Sequence, residues 1–144
     1  MEIKRYNIRV YGLLMEEKKV LVTHEHRFGM RMTKFPGGGH IPGEGLADCL
    51  KREFMEEVGI VVETAELIYL NDFFQRSAFD PEEQLIVIYY RVKTKKADEI
   101  VHTPYPEDLK EGEQVFEWIP IRELQEKNFT FPLDREVVKK LKAG

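Results

Sequence analysis

Glu44, Arg52, Glu53, Glu56 and Glu57 have the residue types and spacing for metal-assisted chemistry. They lie in residues 38–60, a segment that opens on Gly38-Gly39 and closes on Val58-Gly59-Ile60. Carboxylates at this density are costly unless a cation sits among them, and oxygen donors suit hard divalent ions.

A helix over Leu46 to Val58 must position these groups. At about 100° per residue, Leu46, Leu50 and Phe54 form an apolar ridge flanked by Ala47 and Val58. Glu53 and Glu57 lie on or beside that ridge, and Glu56 lies one turn round from Glu53. Three carboxylates thus share an edge that faces partly inward, and a bound cation resolves the cost of burying them. Arg52 and Glu56, four apart, can pair on the same helix. Gly59 is positioned to stop it. A bare Arg-Glu-x-x-Glu-Glu is also compatible with a solvated acidic face; the surrounding pattern decides between the two.

Gly38, Glu44 and the run Arg52-Glu53-Phe54-Met55-Glu56-Glu57-Val58-Gly59-Ile60 fill every defined position of the Nudix box, a match expected by chance on the order of 10⁻⁷ of the time. The chain therefore resembles the Nudix hydrolases, the MutT-like proteins included. The resemblance implies an α/β fold, an α/β/α sandwich with a mixed sheet between helices, formed by residues 1–144 as one domain. It implies metal-dependent hydrolysis of a nucleoside diphosphate linked to another group, with Mg²⁺ or Mn²⁺ present. By resemblance Glu53, Glu56 and Glu57 hold the metal with the Gly37 carbonyl, Glu44 supports the metal or its water, and Arg52 orients the acidic edge. Metals neutralise phosphate oxygens and activate water, and a nearby carboxylate can take the water's proton. The box leaves open which glutamate does so.

The rest of the chain reads as elements around this unit. Tyr6 to Met15 and Val20 to Thr23 are strands joined at Glu16-Glu17-Lys18-Lys19. Arg27 to Lys34 reads as a basic loop, and Phe35 to Gly39 as a glycine turn. Residues 61–74 read as extended, interrupted near Glu66, and 75–83 as a loop. Gln84 to Val92 is a buried strand, 93–112 a long loop, and Glu113 to Ile119 a last strand. A short helix over Ile121 to Lys127 and a terminal helix over Leu133 to Lys142 follow.

Outside the box, Glu111 and Glu113 precede the last strand, where an acid can complete such a site; solvated loop charge is the alternative. Arg27, Arg31 and Lys34, with Gly38 and Gly39, are candidates to contact substrate phosphate. His24-Glu25-His26 is a weak metal motif. Phe73, Phe74 and Phe79 can stack on a base or serve the core. Phe131-Pro132-Leu133-Asp134 resembles the base-contacting segment of the MutT-like branch; alternatively Asp134 caps the terminal helix. The proline of ADP-ribose pyrophosphatases, the tyrosine of dinucleoside-polyphosphate hydrolases and the upstream pattern of coenzyme A hydrolases have no counterpart here.

Composition narrows the class. The 144 residues fit one core, and 42% hydrophobic with 33% charged residues is ordinary for a globular protein. The net charge of −4 argues against a nucleic-acid polymer as partner and requires local cations or a metal for a polyanionic substrate. A single cysteine, Cys49, excludes an internal disulfide. No apolar run reaches the roughly 18–20 residues of a membrane span, and the start lacks a signal peptide's apolar region, which predicts a cytoplasmic location. The expected partner is a nucleoside triphosphate or a nucleotide sugar, and relatives of this kind often form homodimers. The competing reading is a Nudix-fold module that senses a nucleotide without hydrolysing it.

Overall fold

Alternation along the first strand divides the interior into two layers. In β1 (Arg5–Glu16), Val10 and Leu14 point to one face and Tyr11 and Leu13 to the other, as the two-residue period of a strand requires. The computed structural model describes residues 1–144 apart from the side chain of Thr64. On the first face, Val10, Leu14 and Leu21 meet Cys49, Leu50 and Phe54 of helix α1 (Leu46–Glu57). On the second, Tyr11, Leu13, Val20 and Val22 meet Leu133, Val137 and Val138 of helix α2 (Pro132–Ala143). A sheet covered by one helix on each face is the α/β/α sandwich expected.

The remaining strands are β2 (Lys19–Arg27), β3 (Met30–Lys34), β4 (Gly37–Gly39), β5 (Thr64–Leu70), β6 (Glu83–Lys93) and β7 (Gln114–Pro120). They run in the order β3-β2-β1-β6-β5, with β4 paired to β1 and β7 to β2. The sheet is mixed: β1 and β6 are parallel from Arg5↔Glu83 to Leu14↔Val92, and the other pairings are antiparallel. β1 changes partner along its length. Arg9, Val10 and Tyr11 pair with Gly39, Gly38 and Gly37, whereas only Met15 and Glu16 pair with β2. β2 diverges from β1 beyond that point, and a cleft opens between them.

Three expectations change. Residues 27–34 are not a loop: β2 runs to Arg27 and β3 begins at Met30, joined through Phe28 and Gly29, both at positive φ (56° and 71°). Two positive-φ residues make the tight turn that suits hairpin twist, and Phe28 does not advertise it. The glycine turn is partly strand β4, where Gly37 has φ +147° and a β-carbon would meet Val10 O at 2.1 Å. The short helix over 121–127 is two 3-10 turns, Ile121–Glu123 and Glu126–Asn128. In addition, the irregularity in β5 falls between Leu67 and Tyr69, just past the position expected.

Candidate active site

The acidic edge of α1 is organised by Arg52. Its Nε and Nη2 donate to the two oxygens of Glu44 at 3.0 and 2.8 Å, a two-pronged pairing that fixes the guanidinium plane. Nη1 donates to Glu53 Oε1 at 3.1 Å and approaches Glu56 Oε2 at 3.3 Å, while Nη2 also reaches the Gly39 carbonyl at 3.0 Å. The Arg52 contact, helped by the Ile41 backbone N–H, holds the Glu44 carboxyl down to about 2. The helix thereby stays registered against β4.

Glycine spacing allows the close approach of helix and strand. A β-carbon on Gly38 would lie 2.5 Å from the Glu53 carboxylate carbon, so that carboxylate occupies the space a side chain would need. Burial pushes the Glu57 pKa up, against the pull of Lys34, Gln114 and the Gly37 N–H. Gly37 N donates to Glu57 Oε2 at 2.9 Å, and Gln114 Nε2 donates to Oε1 at 3.2 Å.

Glu53, Glu56 and Glu57 line one wall of a cavity of about 510 Å³. Gly37, Gly38, Gly39, Arg27 and Lys34 line it too. Its lining also includes Phe79 and Phe131, whose ring centroids are 5.8 Å apart, with Leu133 and Asp134. Asp134 is buried and accepts from Tyr89 Oη at 2.5 Å; burial raises its pKa from the ordinary 3.8 to about 6. It does not cap α2. Pro132 opens that helix, which puts Phe131 at the cap position and leaves Asp134 facing inward from the first turn.

Other candidates lie elsewhere. Arg31 turns away from the cavity and donates to the carbonyls of Pro106, Glu107 and Leu109, because it alternates with Met32 along β3. Glu111 accepts from Gly29 N at 2.7 Å and Glu113 from Lys110 N at 2.7 Å; neither lines the cavity. Their neighbour Gln114 does. His24 is buried between Thr33 Oγ1 (2.9 Å) and Glu117 Oε1 (2.7 Å), a packed polar contact outside the cavity. Phe73 and Phe74 are exposed and lie outside the lining.

The sequence reading missed Arg9, Glu25 and Gln114. Glu25 is buried, lies 3.5 Å from Lys34 Nζ, and shares the Gln114 amide with Glu57. Burial alone would lower the Lys34 pKa, but Tyr11, Glu25 and Glu57 together hold it above its ordinary value. Strand alternation was the available signal: Glu25 must face opposite His24 and His26, and Arg9 shares a face with Asn7 and Tyr11.

The wall suits a hard divalent cation in donor chemistry: carboxylate oxygens, one of them disfavoured by burial, beside a backbone without side chains. Among the described residues, no three acidic, histidine or cysteine side chains are already grouped for coordination. Arg52 Nη1 draws Glu53 and Glu56 toward itself, and Glu57 turns to Gly37 and Gln114.

The NUDIX domain family model matches residues 4–141. The chain belongs to the Nudix family. This Nudix protein is 35% identical over 82 residues to an 8-oxo-dGTP diphosphatase of Buchnera aphidicola, covering 57% of the chain and 60% of the relative. It is 29% identical over 128 residues to nucleoside diphosphate-linked moiety X motif 6 of Mus musculus, covering 88% of the chain and 38% of that relative. Both matches thus span less than two thirds of the relative's length. A NUDIX hydrolase structure from Nitrosomonas europaea superposes with a TM-score of 0.70 at 19% identity, covering 96% of this chain and 89% of that one; it shares the fold. No helix among the described residues is long and apolar enough to cross a membrane.

Proposed function

We propose that this Nudix protein is a divalent-metal-dependent pyrophosphohydrolase. It cleaves the diphosphate linkage of a nucleoside triphosphate or of a nucleoside diphosphate derivative such as a nucleotide sugar. The observation that carries this reading is one cavity lined by glutamates 53, 56 and 57 together with Phe79, Phe131 and Asp134. Such a cavity accommodates a molecule with a polyphosphate and a planar or polar head.

Glu53, Glu56 and Glu57, with the Gly37 backbone, would hold Mg²⁺ or Mn²⁺. When bound, the cation supplies charge neutralisation of phosphate oxygens and a more acidic water. The chain supplies the rest. Arg52 and Glu44 fix the helix edge against β4, so the carboxylates enter the cavity from a rigid support. The Phe79–Phe131 pair offers a stacking surface, and Asp134 offers a carboxyl that can donate or accept near neutral pH. The homologous 8-oxo-dGTP diphosphatase makes purine deoxynucleoside triphosphates the first compounds to try.

The test is hydrolysis of a panel of nucleotides, nucleotide sugars, dinucleotides and coenzyme A with Mg²⁺ or Mn²⁺, repeated with chelator. Metal-dependent turnover of one class, abolished by chelator, is the expected result. Tight binding of a nucleotide with no turnover of any compound would replace this reading by that of a sensor.

A further inference from the structure

The floor of the cavity carries an arginine that the box chemistry does not use. Arg9 projects from β1 beside Tyr11, with Asn7 on the same face. Its Nε donates to Tyr11 Oη at 2.5 Å, and its guanidinium lies 5.5 Å from the centre of the Tyr11 ring. Among the described residues, no carboxylate forms an ion pair with it, and Nη1 and Nη2 donate to no protein acceptor. Among the described residues no fully enclosed side-chain nitrogen lacks a partner, so the unbonded Nη groups are accessible, and Arg9 lines the cavity.

The surroundings separate Arg9 from the other cations. Arg52 is saturated by Glu44, Glu53 and Glu56. Lys34, whose ammonium lies 5.2 Å from the same Tyr11 ring, already has Glu25 at 3.5 Å. Arg27 is exposed and lies 5.2 Å from the centre of the Phe28 ring. Arg9 is half-buried and presents a planar fork of free N–H donors, the geometry that matches phosphate.

Its position also defines what it would touch. A β-carbon on Gly39 would lie 3.7 Å from Arg9 Nη1, whereas one on Gly38, next in the strand, would strike Glu53. Gly38 thus faces Glu53 and Gly39 faces Arg9, and both side chains line the one cavity around this side-chain-free strand. Arg9 feels Glu53 and Glu57 electrostatically but bonds to neither. Asp134 feels Arg9 as well.

We propose that Arg9 binds the phosphate that departs with the nucleoside, next to the scissile bridge, and so selects substrates carrying a phosphate ester at that place. This rests on the pyrophosphohydrolase reading above. The glutamates repel an anionic phosphate there, and a free guanidinium offsets that repulsion. Because that phosphate either carries the leaving oxygen or receives the water, loss of Arg9 weakens binding and slows the chemical step together.

The experiment is calorimetric binding, with chelator present, of the 5′-monophosphates of adenosine, guanosine, cytidine and uridine beside the four nucleosides. We expect at least one monophosphate to bind more tightly than its nucleoside. R9Q should weaken that monophosphate by about ten- to a hundredfold and leave the nucleoside unchanged. R9K, which keeps the charge and loses the fork, should fall between; if R9Q fails to fold by its melting curve, R9K carries the comparison. With metal, R9Q should lower kcat/KM for the hydrolysed compound by a similar factor. An unchanged phosphate preference in R9Q, an equal loss for nucleoside and monophosphate, or no preference in the parent protein would overturn the assignment. Absent hydrolysis with an Arg9-dependent phosphate preference intact would instead overturn the enzymatic reading alone.

Discussion

The Glu53 carboxylate occupies the place where a side chain at Gly38 would begin: a β-carbon there would lie 2.5 Å from its carboxyl carbon and 2.6 Å from each oxygen. The helix edge and the glycine strand are thus complementary surfaces, and position 38 gates where the carboxylate can sit.

Gly38→Ala should displace Glu53 and not the backbone, because the obstructing atoms end a flexible side chain. We expect hydrolysis to fall by at least about tenfold, with a stability loss of about 1–3 kcal/mol, the usual cost of overpacking. Turnover and chemical denaturation on the same preparation check both. Full activity would show that Glu53 need not hold its observed position.

Glu57→Gln should remove catalysis and spare the fold. The amide oxygen can still accept from Gly37 N, and its NH₂ can donate to Gln114 if that amide rotates. Replacing a buried carboxylate that burial disfavours keeps the denaturation midpoint within about 1 kcal/mol of the parent. Turnover should drop by at least about a hundredfold. Near-normal turnover with a folded variant would remove Glu57 from the machinery.

Asp134 gives the fold a pH dependence of defined sign. Its pKa is raised in the folded state from the ordinary 3.8 to about 6, so the native state holds a proton that the unfolded chain releases. Stability is therefore highest below about 3.8 as far as this group is concerned, and falls as pH rises to about 6, by ~3 kcal/mol in all. Above that it stays level. Asp134→Asn, which cannot ionise, should lack this decline and be more stable than the parent near pH 7. Urea midpoints of the two proteins from pH 4 to 8 test it; parallel curves would show that Asp134 titrates normally.

Phe54 anchors the helix that carries the site. It is fully buried with Leu50 and Cys49 against Val10, Leu14 and Leu21. Phe54→Ala should cost ~3–5 kcal/mol, measured by chemical denaturation. Hydrolysis should fall too, because Glu53 and Glu57 flank that anchor on the same helix. Loss of stability with intact turnover would show that the site tolerates a shifted helix.

The sequence by itself determined the local unit. The spacing of Leu46, Leu50 and Phe54 dictates which side of α1 goes inward, and the same geometry places Glu53, Glu56 and Glu57 along its edge. These are relations between residues a turn or two apart, which a helix fixes without help from the rest of the chain. The strand pattern likewise gave the layers, since alternation in β1 predicts two opposed faces.

Tertiary structure decided what enters the cavity from afar. Arg9, Glu25, Gln114 and Asp134 meet the box from β1, β2, β7 and α2, and no local periodicity registers one strand against another. The Phe28–Gly29 turn turned an apparent basic loop into β3, sending Lys34 inward and Arg31 outward. A one-residue difference in a strand reverses a side chain's face, so these assignments depend on a register that only long-range pairing fixes.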